Sequence, residues 1–119
     1  MDEATRHEPA PDPEDLSRFV VERLNAGDVD GLVALYEPDA VMALPGGTAT
    51  GVKEIRSAYE QFVAGQPGVV RGDQQATLRW GDLALTSSRL PDGTITVEVA
   101  RQQADGTWLW IIDQPSING

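Results

Sequence analysis

The segment from Leu24 to Phe62 constrains the fold of this chain more than any other. Apolar residues recur at intervals of three and four in its first and last parts, which is typical of amphipathic helices. Between these parts lies a short extended stretch that is interrupted by the turn Pro45-Gly46-Gly47. The segment therefore predicts two helices that flank a pair of short strands at residues 40–44 and 48–50.

Helical patterns dominate the first half of the chain. The first helix is expected to begin with Asp12 as its N-cap and Pro13 in its first turn, where the missing N–H costs nothing. It ends near Gly27, because glycine readily adopts the left-handed conformation of a C′ residue. A second helix is expected from about Asp28 to Tyr36, and a third from Val52 to about Ala64.

The apolar period changes to two in the second half, which indicates strands. The extended runs are separated by short Gly- and Asp-containing turns, which favour hairpins and an antiparallel meander. The predicted class is therefore α+β, with three N-terminal helices packed on one face of a curved antiparallel sheet. The runs comprise residues 69–80, 83–90, 94–103 and 108–114.

Residues 1–12 are expected to form a flexible acidic tail, and residues 13–119 a single domain. The tail is polar and broken by proline, so it cannot bury enough apolar surface to offset the entropy of ordering. His7, the only histidine, lies in this tail, and the chain has no cysteine. Catalysis needs fixed geometry, so Ser-His-Asp triads and metal sites built on His or Cys are excluded. We expect neither a metal nor a cofactor.

The charge of the chain bears on its partners. The net charge is −10, and the nine Lys and Arg residues are scattered. Nucleic acids and anionic membrane surfaces both require a clustered basic patch, so neither is an expected partner. No apolar run is long enough to span a membrane, and the N-terminus lacks a signal-peptide pattern. A cytoplasmic protein is therefore expected.

The order of the predicted elements resembles the nuclear transport factor 2-like superfamily, whose members form a cone. The motif LNAGDVDGLVALYEPDAV at 24–41, the Pro-Gly turn and the motif GVKEIRSAY at 51–59 are similar to the ketosteroid isomerase and SnoaL-like branch. The last two strands, with Arg101 and Trp108, are also similar to those of this superfamily. The resemblance covers residues 16–116 and implies the fold, whereas the activities that this scaffold supports are diverse.

The resemblance also carries over individual positions. Ketosteroid isomerases use an aspartate base, a tyrosine and a protonated carboxylic acid. The position of the base falls on Leu44 and that of the tyrosine on Val20, and neither residue can transfer a proton. The second acid falls on Glu98, and two supporting tyrosines match Tyr36 and Tyr59. Loss of the base and a donor should cost many orders of magnitude in rate, so the usual steroid isomerase mechanism is not expected.

Two interpretations of Glu98 remain open. Strand alternation places Glu98 on one face with Thr96 and Ala100. If that face is solvated, Glu98 is a surface charge; the resemblance instead places it inside the cone, where burial would raise its pKa. Tyr36 and Tyr59 are expected on the inward faces of helices, where they belong to the core or assist Glu98.

Alternation along the last strand assigns its residues to two faces. Aromatic residues at a period of two indicate core packing, a subunit interface or ligand stacking. Asp113 lies where the apolar alternation ends, and it is expected to border a pocket or to cap a loop. The predicted faces are Trp108, Trp110 and Ile112 on one side, and Leu109, Ile111 and Asp113 on the other.

The leading hypothesis is a SnoaL-like or ketosteroid isomerase-like protein that holds a small, largely apolar, oxygen-bearing molecule. Any catalysis would be cofactor-free acid–base chemistry by Glu98. The alternative is a non-catalytic binding or dimerisation module, and the resemblance implies a homodimer that packs through the outer sheet face. The assisting residues are expected to be Tyr36, Tyr59 and Asp113, and the residues lining the ligand Val20, Met42, Leu44 and Trp110.

Overall fold

The computed structural model describes residues 8–65 and 72–117. Helices pack on a curved, unclosed sheet, so the predicted α+β class is confirmed. The helix-covered face of the sheet is called the inner face below. The elements are α1 (Asp15–Asn25), α2 (Val29–Val33), β1 (Tyr36–Leu44), β2 (Gly47–Thr50), α3 (Gly51–Gly65), β3 (Asp73–Gln74), β4 (Leu78–Trp80), β5 (Leu83–Arg89), β6 (Ile95–Gln102) and β7 (Trp108–Ile117).

Helix α1 begins later than the sequence predicted. Glu14 occupies the N-cap position and makes no side-chain cap. The carbonyl oxygen of Asp12 instead accepts a hydrogen bond from the N–H of Asp15 at 3.0 Å, and that of Pro13 accepts from Leu16 at 3.2 Å. These i to i+3 bonds form a tight turn that leads into the helix, with the fixed φ of Pro13 inside it. Asp12 is therefore part of the turn rather than the N-cap.

The chain is held against the domain from Glu8 onward. Ala10 is fully buried, and its carbonyl oxygen accepts a hydrogen bond from the N–H of Trp108 at 3.0 Å. The guanidinium of Arg23 donates to the carbonyl oxygens of Glu8 at 2.8 Å and Gly31 at 2.7 Å. The predicted tail covers residues 1–12, whereas these contacts tie Glu8 and Ala10 of that segment to the domain. His7 lies outside the described residues.

Helix α2 is shorter than predicted, and Tyr36 lies on a strand rather than on a helix. Asp28 caps α2, since its carboxylate accepts a hydrogen bond from the N–H of Gly31 at 3.0 Å. The carbonyl oxygen of Leu35 accepts from the N–H of Trp110 at 2.8 Å, which brings the chain into the sheet directly after the helix. Pairing with β7 thus replaces the hydrogen bonds of a longer helix. This pairing joins residues far apart in the sequence, so the local pattern around Tyr36 does not predict it.

Within residues 8–65 and 72–117 the sheet has seven strands, in the order β2-β1-β7-β6-β5-β3, and β4 also pairs with β5. The neighbours β1 and β7 are parallel, whereas the other neighbouring strands are antiparallel. The run predicted at 69–80 is divided into two strands, because the register against β5 shifts by one residue between Gln74 and Leu78. Residues 69–71 of that run lie outside the described part of the chain.

A bulge in β7 shifts its pairing with β6. Val99 lies opposite Ile112, whereas the next residue of β6, Ala100, lies opposite Trp110. Ile111 is therefore an extra residue on β7, which is the two-against-one arrangement of a β-bulge. An extra residue reverses the alternation of side chains for the rest of the strand.

The reversal corrects the predicted faces of the last strand. Asp113 is buried together with Trp108 and Trp110, and Ile112 is 51% exposed. The predicted faces differ from these, because they group Ile112 with the tryptophans and place Asp113 on the opposite face. The prediction is wrong because it assumes regular alternation along the whole strand. The extra residue Ile111 moves every later side chain to the other face.

The hydrophobic core lies between the helices and the inner face of the sheet. Leu16 from α1, Leu32 from α2 and Ile55 from α3 are fully buried. Within the described residues, no helix is long and apolar enough to cross a membrane. The rest of the core consists of Ala10, Phe19, Leu35, Tyr36, Ala40, Met42, Ala49, Tyr59, Ala84, Ala100, Trp108 and Trp110.

Candidate functional site

Two acidic residues face each other on the inner face of the sheet. Glu98 on β6 pairs directly with Asp113 on β7. Glu98 is 5% exposed and Asp113 is 6% exposed, so both carboxyl groups are buried. The interpretation of Glu98 as a surface charge is therefore wrong. These two residues are called the acid pair below.

Glu98 is held by hydroxyl groups. Thr86 lies directly opposite it on β5, and the Thr86 hydroxyl donates to Glu98 Oε1 at 2.6 Å. Burial raises the pKa of Glu98, and hydrogen bonds from Thr86 and Thr96 oppose that rise. Thr86 is not among the site residues predicted from the sequence. The feature that could have identified Thr86 is the predicted turn at Asp92. A hairpin centred on Asp92 places the residues six positions before and after it, Thr86 and Glu98, directly opposite each other.

Asp113 is the more strongly perturbed member of the acid pair. The hydroxyl of Tyr36 donates to Asp113 Oδ2 at 2.5 Å. Burial and, to a smaller extent, the negative charge of Glu98 raise the pKa of Asp113 to about 7, although the hydrogen bond from Tyr36 opposes the rise. A carboxyl group with a pKa near neutrality can both release and accept a proton under physiological conditions, which general acid–base catalysis requires.

A second tyrosine extends this contact into a chain of hydroxyl groups. The hydroxyl oxygens of Tyr36 and Tyr59 lie 2.6 Å apart, and the two ring centroids are 6.0 Å apart. Tyr59 comes from α3, whereas Tyr36 is the first residue of β1. Burial raises the pKa of both tyrosines, and the charge of Asp113 adds to this effect, so both remain protonated. Tyr59, Tyr36 and Asp113 are called the hydroxyl chain below.

Trp110 contributes an unsatisfied donor close to the hydroxyl chain. Its ring centroid lies 5.6 Å from that of Tyr36, and the residue is 3% exposed. Its Nε1–H has no hydrogen-bond partner among the described residues. A buried donor without a partner is costly, so such groups in a folded protein require an explanation. A hydrogen-bond acceptor on a bound molecule would satisfy this one.

The other residues predicted to line the ligand belong to the core or its border. Met42 lies in the hydrophobic core, and Val20 and Leu44 pack against it from half-buried positions. Met42 is also the direct neighbour of Asp113 across the β1–β7 pair. The structure thus brings Met42 and Trp110 close to the acid pair, while the role of these residues in binding stays a prediction.

A surface groove of about 190 Å³ lies apart from the acid pair, and residues of β4, β5 and β6 line it. Trp80 in this groove is 79% exposed. We place the candidate site at the acid pair, because perturbed titratable groups mark chemistry more directly than surface concavity does. No group of three or more His, Cys, Asp or Glu that could hold a metal is found among the described residues.

The chain matches one protein family in sequence and several solved structures in fold. The model of the SnoaL-like domain family matches residues 16–114. No curated protein matches the chain. Several solved structures have the same fold. Together with the match to the SnoaL-like family, this confirms the nuclear transport factor 2-like superfamily predicted from the sequence.

Three of these structures illustrate the range. A protein of unknown function with a cystatin-like fold from Nostoc punctiforme is 18% identical, with a TM-score of 0.70 over 88% of this chain and 87% of the other. A ketosteroid isomerase-like protein from Erwinia carotovora is 19% identical, with a TM-score of 0.64 over 89% and 94%. A putative ketosteroid isomerase from Shewanella frigidimarina is 14% identical, with a TM-score of 0.69 over 86% and 92%. At these identities the likeness shows the fold alone.

Proposed function

We propose that this chain, which belongs to the SnoaL-like domain family, binds a small, largely apolar, oxygen-bearing molecule and transfers a proton on it without a cofactor. The acid pair is the observation that carries the proposal. Neither Glu98 nor Asp113 forms an ion pair with a basic residue in the described part of the chain. Burying two adjacent carboxyl groups without a cation opposes folding, so a purely structural role is a poor explanation.

The two acids suit different roles. The charge of Glu98 is one cause of the raised pKa of Asp113, which implies that Glu98 ionises first. Glu98 is therefore the general base, and Asp113 is the group that still carries a proton near neutral pH. The hydroxyl chain that ends in the protonated Asp113 and the Trp110 N–H provide donors for an oxygen atom on which negative charge develops. Apolar neighbours such as Met42 suit the carbon skeleton of the ligand.

The replacement Glu98→Gln tests this assignment. A thermal-shift screen of polyketide, terpenoid and steroid ketones against the corresponding hydrocarbons would first identify a ligand, since binding to the native state raises the melting temperature. We expect Glu98→Gln to abolish proton exchange on the bound ketone, measured by deuterium incorporation next to the carbonyl, while the fold is retained. The matched control is Glu60→Gln, on the exposed side of α3. Unchanged exchange in Glu98→Gln would refute the mechanism.

A specific feature also favours the alternative function, a dimerisation module. One residue from each of five strands forms a continuous apolar row across the outer face of the sheet, each directly opposite the next. Ile112 and Leu78 in this row are largely exposed, and exposed apolar rows of this kind mark interaction surfaces. The row consists of Val41, Ile112, Val99, Leu85 and Leu78, and it is called the outer row below.

We propose that the outer row packs against the same row of a second copy, because a row of this kind is self-complementary under a twofold axis. Sedimentation velocity tests this proposal directly. We expect Ile112→Lys to shift the protein from dimer to monomer, whereas Ala104→Lys, in the exposed turn between β6 and β7, should leave the dimer intact. A monomeric wild type, or a dimer that is insensitive to Ile112→Lys, would contradict it.

A further inference from the structure

The hydroxyl group of Tyr36 lies between two oxygen atoms and has a single hydrogen to share. Tyr59 Oη is 2.6 Å away on one side, and Asp113 Oδ2 is 2.5 Å away on the other. Each tyrosine hydroxyl donates one hydrogen bond and can accept others. The direction of every hydrogen bond in the hydroxyl chain is therefore set by whether Asp113 accepts from Tyr36 or donates to it.

When Asp113 is ionised, it can only accept. Tyr36 then donates to Asp113, and Tyr59 donates to Tyr36. The hydroxyl hydrogen of Tyr59 is committed in this state, so Tyr59 can only accept a hydrogen bond from a further group.

When Asp113 is protonated at Oδ2, it can donate to the oxygen of Tyr36. The hydrogen of Tyr36 then rotates toward Tyr59, and the hydrogen of Tyr59 is released for a further acceptor. The change takes up one proton from water at Asp113. The O–H bonds of both tyrosines remain intact, since their hydrogens only rotate.

Tyr59 is the open end of the hydroxyl chain. Among residues 8–65 and 72–117, its hydroxyl group makes a hydrogen bond with Tyr36 alone. Tyr59 is also the most exposed of the three residues of the hydroxyl chain, although it remains largely buried. The unsatisfied N–H of Trp110 adds a second donor, on a ring whose centroid lies 5.6 Å from that of Tyr36. The end of the hydroxyl chain is thus the place where a ligand oxygen would complete the hydrogen bonding.

We propose that Tyr59 contacts the oxygen atom of the ligand and that the proton on Asp113 sets the specificity of this contact. A ligand carbonyl is bound when Asp113 is protonated, and a ligand hydroxyl group that donates is bound when Asp113 is ionised. Asp113 and Tyr36 act here as positioning residues, through Tyr59. This inference rests on the proposed small-molecule site and names the functional groups that the site distinguishes.

Among the described residues, the titratable groups that face Asp113 come from β6, β1 and α3. Glu98 faces it from β6, Tyr36 from β1 and Tyr59 from α3. Arg23 of α1 is engaged with the carbonyl oxygens of Glu8 and Gly31 instead. Burial and the charge of Glu98 oppose ionisation of Asp113 and raise its pKa to about 7. The hydrogen bonds of the hydroxyl chain are therefore expected to change direction near neutral pH rather than near pH 4.

Matched ketone and alcohol ligands test the inference. Dissociation constants for tetralone and tetralol, and for camphor and borneol, would be measured by NMR titration at about pH 5.5 and about pH 8.5. With the pKa of Asp113 at about 7, we expect ketone affinity to fall about 30-fold between these pH values, and alcohol affinity to stay level or rise. A His7→Gln background removes the chain's only histidine, which titrates in the same range.

Variants separate a positioning role from a structural one. Tyr36→Phe interrupts the hydroxyl chain but keeps the ring, so it should make ketone binding independent of pH, and Tyr59→Phe should remove the preference between ketone and alcohol. If Tyr36→Phe fails to fold, Asp113→Asn serves the same purpose, because an amide does not titrate. Ketone binding by the wild type that does not change with pH would overturn the inference and leave the proposed function standing. Binding of neither ketone nor alcohol by the wild type at either pH would overturn both.

Discussion

Replacing Asp113 by asparagine tests whether the acid pair is costly to the folded chain. The pKa of Asp113 rises from 3.8 to about 7 on folding, mainly because the group is buried. The folded state therefore keeps a proton that the unfolded state has already released. Stability is greatest below the unfolded value of 3.8 and is lost as the pH rises through the folded value. Carboxylates whose pKa is lowered on folding, such as Glu37, have the opposite dependence at lower pH.

The magnitude follows from the shift. A rise of about three units corresponds to about 4 kcal/mol between low and high pH, of which about 2 to 3 kcal/mol is lost between pH 5 and pH 8. Urea unfolding, monitored by the fluorescence of the three tryptophans in a His7→Gln background, measures this loss. We expect the Asp113→Asn variant to lose much less stability over this interval. Glu98 retains a smaller slope of the same sign, because burial raises its pKa as well.

The matched control is Asp105→Asn, an exposed carboxylate in the turn between β6 and β7. Its hydrogen bonds with Thr107 lower its pKa, so its titration lies below the measured interval and the wild-type slope should persist. A wild type that is equally stable at both pH values would refute the reasoning. So would an Asp113→Asn variant whose stability falls as steeply as that of the wild type.

Three further predictions concern the core, a turn and the free donor. Ile55→Ala, at a fully buried position of α3, should lower the free energy of unfolding by about 2 to 5 kcal/mol in urea titrations. Gly27→Ala should cost about 1 kcal/mol because Gly27 has a φ of 67°, whereas Gly65→Ala, with open space around the added methyl group, should cost nothing in the same assay. Trp110→Phe removes the unsatisfied N–H, so it should weaken the binding of a ketone ligand about tenfold, measured by NMR titration. The only expected loss of stability is that caused by the smaller ring. Undiminished affinity would exclude Trp110 as a donor.

Much of the scaffold could be predicted from local patterns. The hairpin turns, the break at Gly27 and the helical spacing in 51–65 each depend on a few neighbouring residues, and the structure has them at or near the expected positions. Glu98 was identified as a candidate by resemblance, while its burial needed the structure. Strand alternation defines which residues share a face, but it does not tell which of two half-apolar faces the helices cover.

The features that could not be predicted depend on pairing between distant strands. Tyr36 continues a helical pattern in the sequence, yet the chain leaves the helix there because the carbonyl of Leu35 pairs with β7. Asp113 enters the inner face because Ile111 is an extra residue against β6. Neither event has a local signature, since each is decided by which partner strand offers the better hydrogen bonds.

The bulge at Ile111 connects the two functions that this chain is proposed to have. By reversing the alternation of β7, it turns Asp113 toward Glu98 and at the same time turns Ile112 into the outer row. Without the extra residue, a carboxylate would lie on the outer face and an isoleucine beside Glu98. The acid pair would then be absent, and Asp113 would lie on the outer face opposite Val97, beside the apolar row, because successive side chains of a strand point to opposite faces. One inserted residue thus supplies Asp113 to the acid pair and keeps its charge off the proposed dimer surface, so changes in either face of β7 are expected to affect the other.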